Sequence, residues 1–538
     1  TCALPILGAV ISGDFFGWNF GLAHGGFGGL LIATGIASAM YAGLCFSVAE
    51  MSAALPHAGG AYSFARSAMG PWGGYVTGLA ENMEYVLTPA VIVVGVGGYL
   101  QAILGTPDAM QPLLWAGCYA LFVGLNIAGA SVSFRATLTI TLLALGILVV
   151  FWVGALPHAS TTHALDIIPA PNASSFLPHG ALGVLTALPF AIWFFLGIEE
   201  LPLAAEEAVD PVRDVPRALG SGLLTLVVAA FLTLVLNSAI APGAAALSAS
   251  QEPLLLGLET IFGASAGTRG LALVAVVGLL ASFHGIIFAY GRQIFSLSRA
   301  GYFPRVLSLT HKTRHTPHVA LITGAVLGFA VACVVRALGT DSPVGAVLLN
   351  MAVFGAVLSY VLQMVSYVLL RRRFPDLARP YKSPLGMAGA VVALGISLVT
   401  LVALFVSDPV YRKVVLGAAV WYALGLLYFA LFARKRLVLA PEALAEYGRC
   451  AAIAGTAAGI CGDYRASASI DLEHDRADRA AGRQVGAPLR VLWAEHGAVG
   501  RCFDVLSLWR ACASDVSGQS LPCGHYLAEE QPDLVLRE

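Results

Sequence analysis

The sequence predicts an all-α integral membrane protein of twelve transmembrane helices, and three observations carry that prediction. The 538 residues are 58% hydrophobic and only 11% charged, whereas soluble domains carry about 25% charged residues. Long apolar stretches recur at about the 20 residues needed to cross a bilayer core. Runs such as 136–153 are continuously apolar and Leu-rich, which excludes the alternating strands of a transmembrane barrel. A soluble enzyme is excluded on the same grounds.

Counting apolar stretches between turn signals places the first six spans at roughly 4–23, 28–54, 72–103, 112–129, 133–156 and 181–199. The second six fall at roughly 219–240, 268–298, 318–337, 343–370, 388–407 and 412–433. Lys and Arg set the orientation, because they are retained in cytoplasmic loops. One set of connections holds 17 of them, from Arg66 through Arg135, Arg213, Arg292 and Arg371 to Arg436, and the opposite set holds 4, namely Arg269, Arg336, Arg412 and Lys413. Both termini are therefore expected on the cytoplasmic side of a cell inner membrane. The N-terminus lacks the basic region of a cleavable signal peptide, and Thr1 is not an evident native start.

After about residue 436 the character changes, with nine Arg, no Lys and no run long enough to span. Residues 1–436 are expected to form the transmembrane domain and 437–538 a separate cytoplasmic tail, regulatory or poorly ordered. Cys45, Cys118 and Cys333 lie in apolar stretches and the remaining cysteines form no close pair, so neither a disulfide frame nor a zinc site is expected. No cofactor and no nucleic-acid partner is expected; the partners are the lipid bilayer and a small substrate.

Two spans break the rule that backbone in hydrocarbon stays helical unless it lines a cavity. Span one reads ISGDFFGWNFG, Ile11 to Gly21, with three glycines and an ionisable Asp14. Span six reads FFLGIEELP, Phe194 to Pro202, with Gly197 ahead of Glu199, Glu200 and a proline. First and sixth are corresponding positions if spans one to five, about 4–156, and six to ten, about 181–370, are inverted repeats, leaving two extra helices at about 388–433. Such paired interruptions point to the central site of a secondary transporter.

Other buried charges are weighed as either structural or functional, since a charge at membrane depth faces a cavity or a partner. Glu81 and Glu84, in ENMEYVLTPA, are three apart and share a helix face. They either fix helix packing or serve substrate or proton. His284 reads as a satisfied interhelical histidine, and Glu50, at the cytoplasmic end of span two, as structural.

The loops carry a resemblance. PHAGGAYSFAR (Pro56 to Arg66), AAEEAVDPVRDVPRA (Ala204 to Ala218), YGRQIFSLSRAGYFP (Tyr290 to Pro304) and PDLARPYKSPLG (Pro375 to Gly386) resemble, in order, the loops after helices two, six, eight and ten of the amino acid, polyamine and organocation transporter superfamily. The resemblance implies a five-plus-five inverted repeat with helices one and six unwound at the substrate site, plus two helices. Within that superfamily ISGDFFGWNFG and ENMEYVLTPA are most similar to the ethanolamine permeases.

In amino acid permeases of this superfamily the unwound part of helix one is small and neutral and receives the substrate carboxylate on its backbone amides. Asp14 in that segment would repel a second carboxylate by about 4 kcal/mol at ~4 Å and an effective dielectric near 20. It would attract an ammonium that lacks one. The expected function is thus import of ethanolamine, a small cationic amine, by alternating access. Asp14 would neutralise the ammonium, or else hold a protein cation or a coupling proton. Ser12, Gly13 and Gly197 would supply hydrogen bonds and Glu199 a second acidic contact. Glu81 or Glu84 would complete the pocket or carry a coupling proton, sodium being the other candidate ion. Phe15, Phe16, Trp18, Phe194 and Phe195 would gate the site, offer a π face, or simply pack. The alternatives are an amino acid or polyamine permease of the same fold, or a sensor signalling through the tail. A membrane enzyme would need clustered catalytic groups, and the twelve His are scattered.

Overall fold

The computed structural model describes residues 8, 10–55, 59–208, 210–338, 344–406 and 409–437. The expected tail, 437–538, lies almost wholly outside them, as does the start of span one. Within the described residues the chain is helical and contains no strand.

The main helices are α1 (Phe20–Ala54), α2 (Gly60–Leu104), α3 (Gln111–Ala128), α4 (Ala130–Ala155), α5 (Gly180–Ile192), α6 (Pro211–Ser238), α7 (Pro253–Phe262), α8 (Ala266–Arg299), α9 (His318–Ala337), α10 (Val344–Arg373), α11 (Gly386–Val406) and α12 (Pro409–Leu431). Nine helical segments among the described residues are long and apolar enough to cross a bilayer. Three expected spans fall short of that measure. Spans one and six are interrupted, and the apolar part of span twelve, Gly417–Leu431, is shorter.

Two of the longest helices are each two segments joined at a glycine. Gly26 in α1 has φ 67° and ψ −177°, so the end of span one (from Phe20) and span two run into one another through a single extended residue. Gly70 in α2 (φ 76°) does the same between a short segment from Gly60 and span three, with Pro71 opening the second segment. Proline at a first helical turn loses no hydrogen bond. Neither that short segment nor α7 was expected, because both are too short to register as spans. Span seven starts earlier than its apolar run, at Pro211, because Asp210 caps the Arg213 amide at 3.3 Å.

The outer face is apolar: Leu142, Val149 and Val153 on α4, Val391 and Val402 on α11, and Leu424 and Leu427 on α12 are all exposed. Polar side chains are instead inside, Asp14, Glu50, Glu81, Glu84, Glu199 and His284 among them. That inversion of the soluble pattern suits a chain solvated by lipid.

Lipid gives helices no hydrophobic reason to associate, so packing relies on close approach at small residues. α2 packs along α10 and α8, and α1 along α5, α6 and α11. At Gly355 of α10 an added Cβ would stand 2.8 Å from the Ala80 carbonyl and 2.9 Å from the Glu84 amide. That contact sets α10 directly on the acidic stretch of α2. The run Ile11–Asp14 packs against α8 and α6.

Candidate functional site

Both interruptions are present in the backbone, and they touch. Ile11–Asp14 forms one 3-10 turn, the chain bends through Phe15–Asn19, and helix resumes at Phe20. After α5 ends at Ile192 the chain turns through Trp193–Leu196. Gly197 then sits at φ 101° and Ile198–Glu207 continues as 3-10 helix. A left-handed φ at that point favours glycine. The two breaks meet at Gly13, where an added Cβ would be 2.7 Å from the Trp193 carbonyl and 2.8 Å from the Phe194 Cα. Any larger residue at 13 would hold them apart.

Cross-links fix the bend. The Trp193 indole donates to the Phe16 carbonyl at 2.8 Å and Tyr99 to the Phe15 carbonyl at 2.8 Å. The Ser12 amide donates to Ser282 Oγ at 2.9 Å. Asn19 accepts from the Gly17 amide and donates to the Leu247 and Ser250 carbonyls at 2.7 and 2.9 Å. The backbone groups freed by unwinding are thus taken up by side chains of α2 and α8, of the second break and of Asn19 itself, as an interrupted span requires.

Asp14 is 1% exposed, and neither carboxylate oxygen closes a hydrogen bond. Its neighbour is Thr233 of α6, whose hydroxyl accepts from the Trp152 indole of α4 at 3.1 Å. Among the described residues no ion pair reaches it. An isolated buried carboxylate is costly, so this position calls for a cation or a proton.

The other sequence-selected acids gather elsewhere. Glu84 and Glu199 bring their carboxyls within hydrogen-bonding reach of each other. Tyr360 of α10 donates to Glu199 Oε1 at 2.8 Å and meets the Tyr41 hydroxyl at 2.9 Å. Glu81 accepts from Gln293 of α8 at 2.5 Å. The broken spans therefore present two acidic positions, one facing α4 and α6 and one facing α2 and α10.

The aromatic candidates pack. The Phe15 ring seats on Gly278 of α8, where an added Cβ would be 2.6 Å away, and Phe16 wedges between Gly95 and Gly345. Trp18 stacks on Phe194 with centroids 5.6 Å apart, and Phe195 lies against Tyr41 at 5.2 Å. His284 pairs with Asn126 of α3 at 3.0 Å. Glu50 binds Arg371, Arg379, Tyr367 and the Ser383 amide at 2.6 to 3.2 Å. Trp193, Tyr99, Thr233, Ser282 and Tyr360, which organise the site, were not selected from the sequence. Their only signal is a polar tip on a side chain otherwise ordinary in an apolar helix.

Comparison with known proteins places the chain among membrane transporters. The chain is 29% identical over 398 residues to an uncharacterised transporter of Rhizobium meliloti, covering 72% of this chain and 82% of the relative. It is 26% identical to a branched-chain amino acid permease of Bacillus subtilis, covering 76% and 86%. A methylthioribose transporter of the same organism is 22% identical, covering 80% and 92%. Residues 3–436 match the amino acid permease family, and the chain, with its interrupted, mutually touching spans, belongs to that family of membrane transporters.

Proposed function

We propose that this permease imports ethanolamine, a small ammonium without a carboxylate, by alternating access about the two breaks. The observation that carries the proposal is Asp14: a buried carboxylate with no cation partner among the described residues, placed in the unwound segment of span one. An amino acid would bring a carboxylate of its own to that segment, at a cost of about 4 kcal/mol at ~4 Å. An ammonium would supply the missing cation. Ser12, Gly13 and Gly197 would present backbone groups to the substrate hydroxyl, with Phe15 and Phe194 closing the site. Glu199, with Glu81 and Glu84, would form the acidic wall on the far side of the breaks.

The proposed frame is twelve spans, with inverted repeats at about 4–156 and 181–370 and extra helices at about 388–433. Both termini would be cytoplasmic, in a cell inner membrane. A second reading, an amino acid permease, is favoured by the likeness to the branched-chain amino acid permease. The likeness to a methylthioribose transporter supports a wider range of cargo.

The experiment is uptake by Asp14→Asn in proteoliposomes at matched protein density. Loss of a charge-assisted contact worth about 1.5–3 kcal/mol lowers affinity roughly tenfold to a hundredfold. Loss of saturable ethanolamine uptake, with unchanged gel-filtration behaviour, is expected. Near-normal affinity would remove Asp14 from the substrate site.

A further inference from the structure

Several arginines of this chain are consumed by the protein itself. Arg371 and Arg379 bind Glu50, Arg336 binds Asp108, and Arg213 lies 3.7 Å from Asp210. Arg373 donates to the Ala68 carbonyl at 2.8 Å. Four cations at one end of the bundle are not used in this way. Arg305, Arg434, Lys435 and Arg436 are exposed, and among the described residues none of them enters an ion pair. The stretches 290–318 and 409–437 that carry them contain no Asp or Glu.

Two chain segments bring these cations together. α12 ends at Leu431, and Ala433–Arg436 follows as one 3-10 turn with three cations in a row. α8 ends at Arg299 and the chain turns at Gly301 (φ 83°), where an added Cβ would strike the Arg436 carbonyl and stand 3.0 Å from the Leu437 Cα. Arg305 follows that contact within about 14 Å of chain. A ring stack locks the junction: the Phe429 centroid lies 4.4 Å from Tyr75 and 4.7 Å from Trp72 of α2, and 5.8 Å from Tyr302.

The junction sits where lipid headgroups begin. Trp72 is exposed beside Phe429, and Tyr428 stacks on Phe432 just ahead of the cations. Amphipathic rings collect at that boundary. Val306, Leu431 and Phe432 are each more than half exposed, so side chains suited to acyl chains stand next to cations suited to phosphate. A lone exposed cation is merely solvated. Several that repel one another at headgroup depth lower their energy by sharing an anion.

We propose that the turn Ala433–Arg436, together with Arg305, binds the phosphate headgroup of an acidic phospholipid whose acyl chains lie along Leu431, Phe432 and Val306. The lipid neutralises the patch and clamps the end of α12 to the turn after α8. This rests on the chain being a membrane transporter and is independent of its cargo.

The test uses the purified full chain in an uncharged detergent, titrated with phosphatidylglycerol, with phosphatidylcholine and with inorganic phosphate. Native mass spectrometry counts bound lipid, and melting temperature reads the clamp. One variant, Arg434→Gln/Lys435→Gln/Arg436→Gln, removes the charge of the turn. A control, Arg217→Gln/Arg372→Gln/Lys382→Gln, removes as many exposed cations elsewhere. Wild type and the control are expected to bind phosphatidylglycerol at least about tenfold more tightly than the turn variant does, and to melt higher with it than with phosphatidylcholine. High salt weakens that binding. Phosphatidylglycerol held no more tightly than phosphatidylcholine, or lost equally from both variants, overturns the proposal. Equal stabilisation by inorganic phosphate overturns the lipid as occupant in favour of a free anion. The count of bound lipid decides even where the turn variant melts lower on its own.

Discussion

Gly13 shows how much depends on one missing atom. A Cβ there would press on the Trp193 carbonyl and the Phe194 Cα, backbone that cannot rotate away as a side chain can. Gly13→Ala is expected to cost about 1–3 kcal/mol, the usual penalty of overpacking, and to impair transport. Gly35→Ala, with nothing within 4 Å of the added atom, is the matched control. It gains about 1 kcal/mol at most from helix propensity. Thermal unfolding in detergent measures both, and equal melting of the two variants would contradict the close approach. Gly13, Asp14, Gly197 and Glu199 were legible in the sequence because each breaks a rule of membrane helices. Trp193, Tyr99 and Tyr360 were not, because aromatic residues in apolar helices usually pack. Nor did sequence show that Asp14 faces Thr233 while Glu199 faces Glu84, since that depends on how helices from distant parts of the chain meet.

At the scale of elements, the ends of α1 and α10 are tied through Glu50. Its carboxylate takes Arg371 at 2.6 Å and Arg379 at 3.2 Å, plus the Ser383 amide at 2.7 Å. Glu50 is 2% exposed and Arg371 27%, so Glu50→Gln leaves two cations short of a partner in a half-wet setting. The expected loss is about 2 kcal/mol, below the 3–5 of a fully buried pair. Chemical or thermal unfolding of the purified variant reads it, and unchanged stability would mean that the loop after α10 is held by other contacts. Span positions were legible because a bilayer demands a fixed apolar length. The glycine joints at Gly26 and Gly70 were less so: a single left-handed residue leaves no compositional trace, and the two segments it joins read as separate spans.

For the whole molecule, the described structure is closed around its acids: Asp14, Glu84 and Glu199 are all at most 5% exposed. In the proposed reading transport requires the two breaks, which touch at Gly13, to separate. Family membership was legible from four loop motifs in order, because loops that set helix ends carry Gly, Pro and charge in recognisable spacing. Cargo is not set by the fold, which serves relatives named for amino acids and for methylthioribose alike; in the proposed reading the charge at the break sets it. The most direct measurement is uptake of labelled ethanolamine by the reconstituted wild-type protein against excess unlabelled ethanolamine, amino acids, choline and diamines. Saturable uptake displaced by ethanolamine and not by amino acids is the predicted result. Strong displacement by amino acids would contradict an ammonium site at Asp14 and favour the amino acid permease reading, and absence of uptake would remove ethanolamine as the cargo.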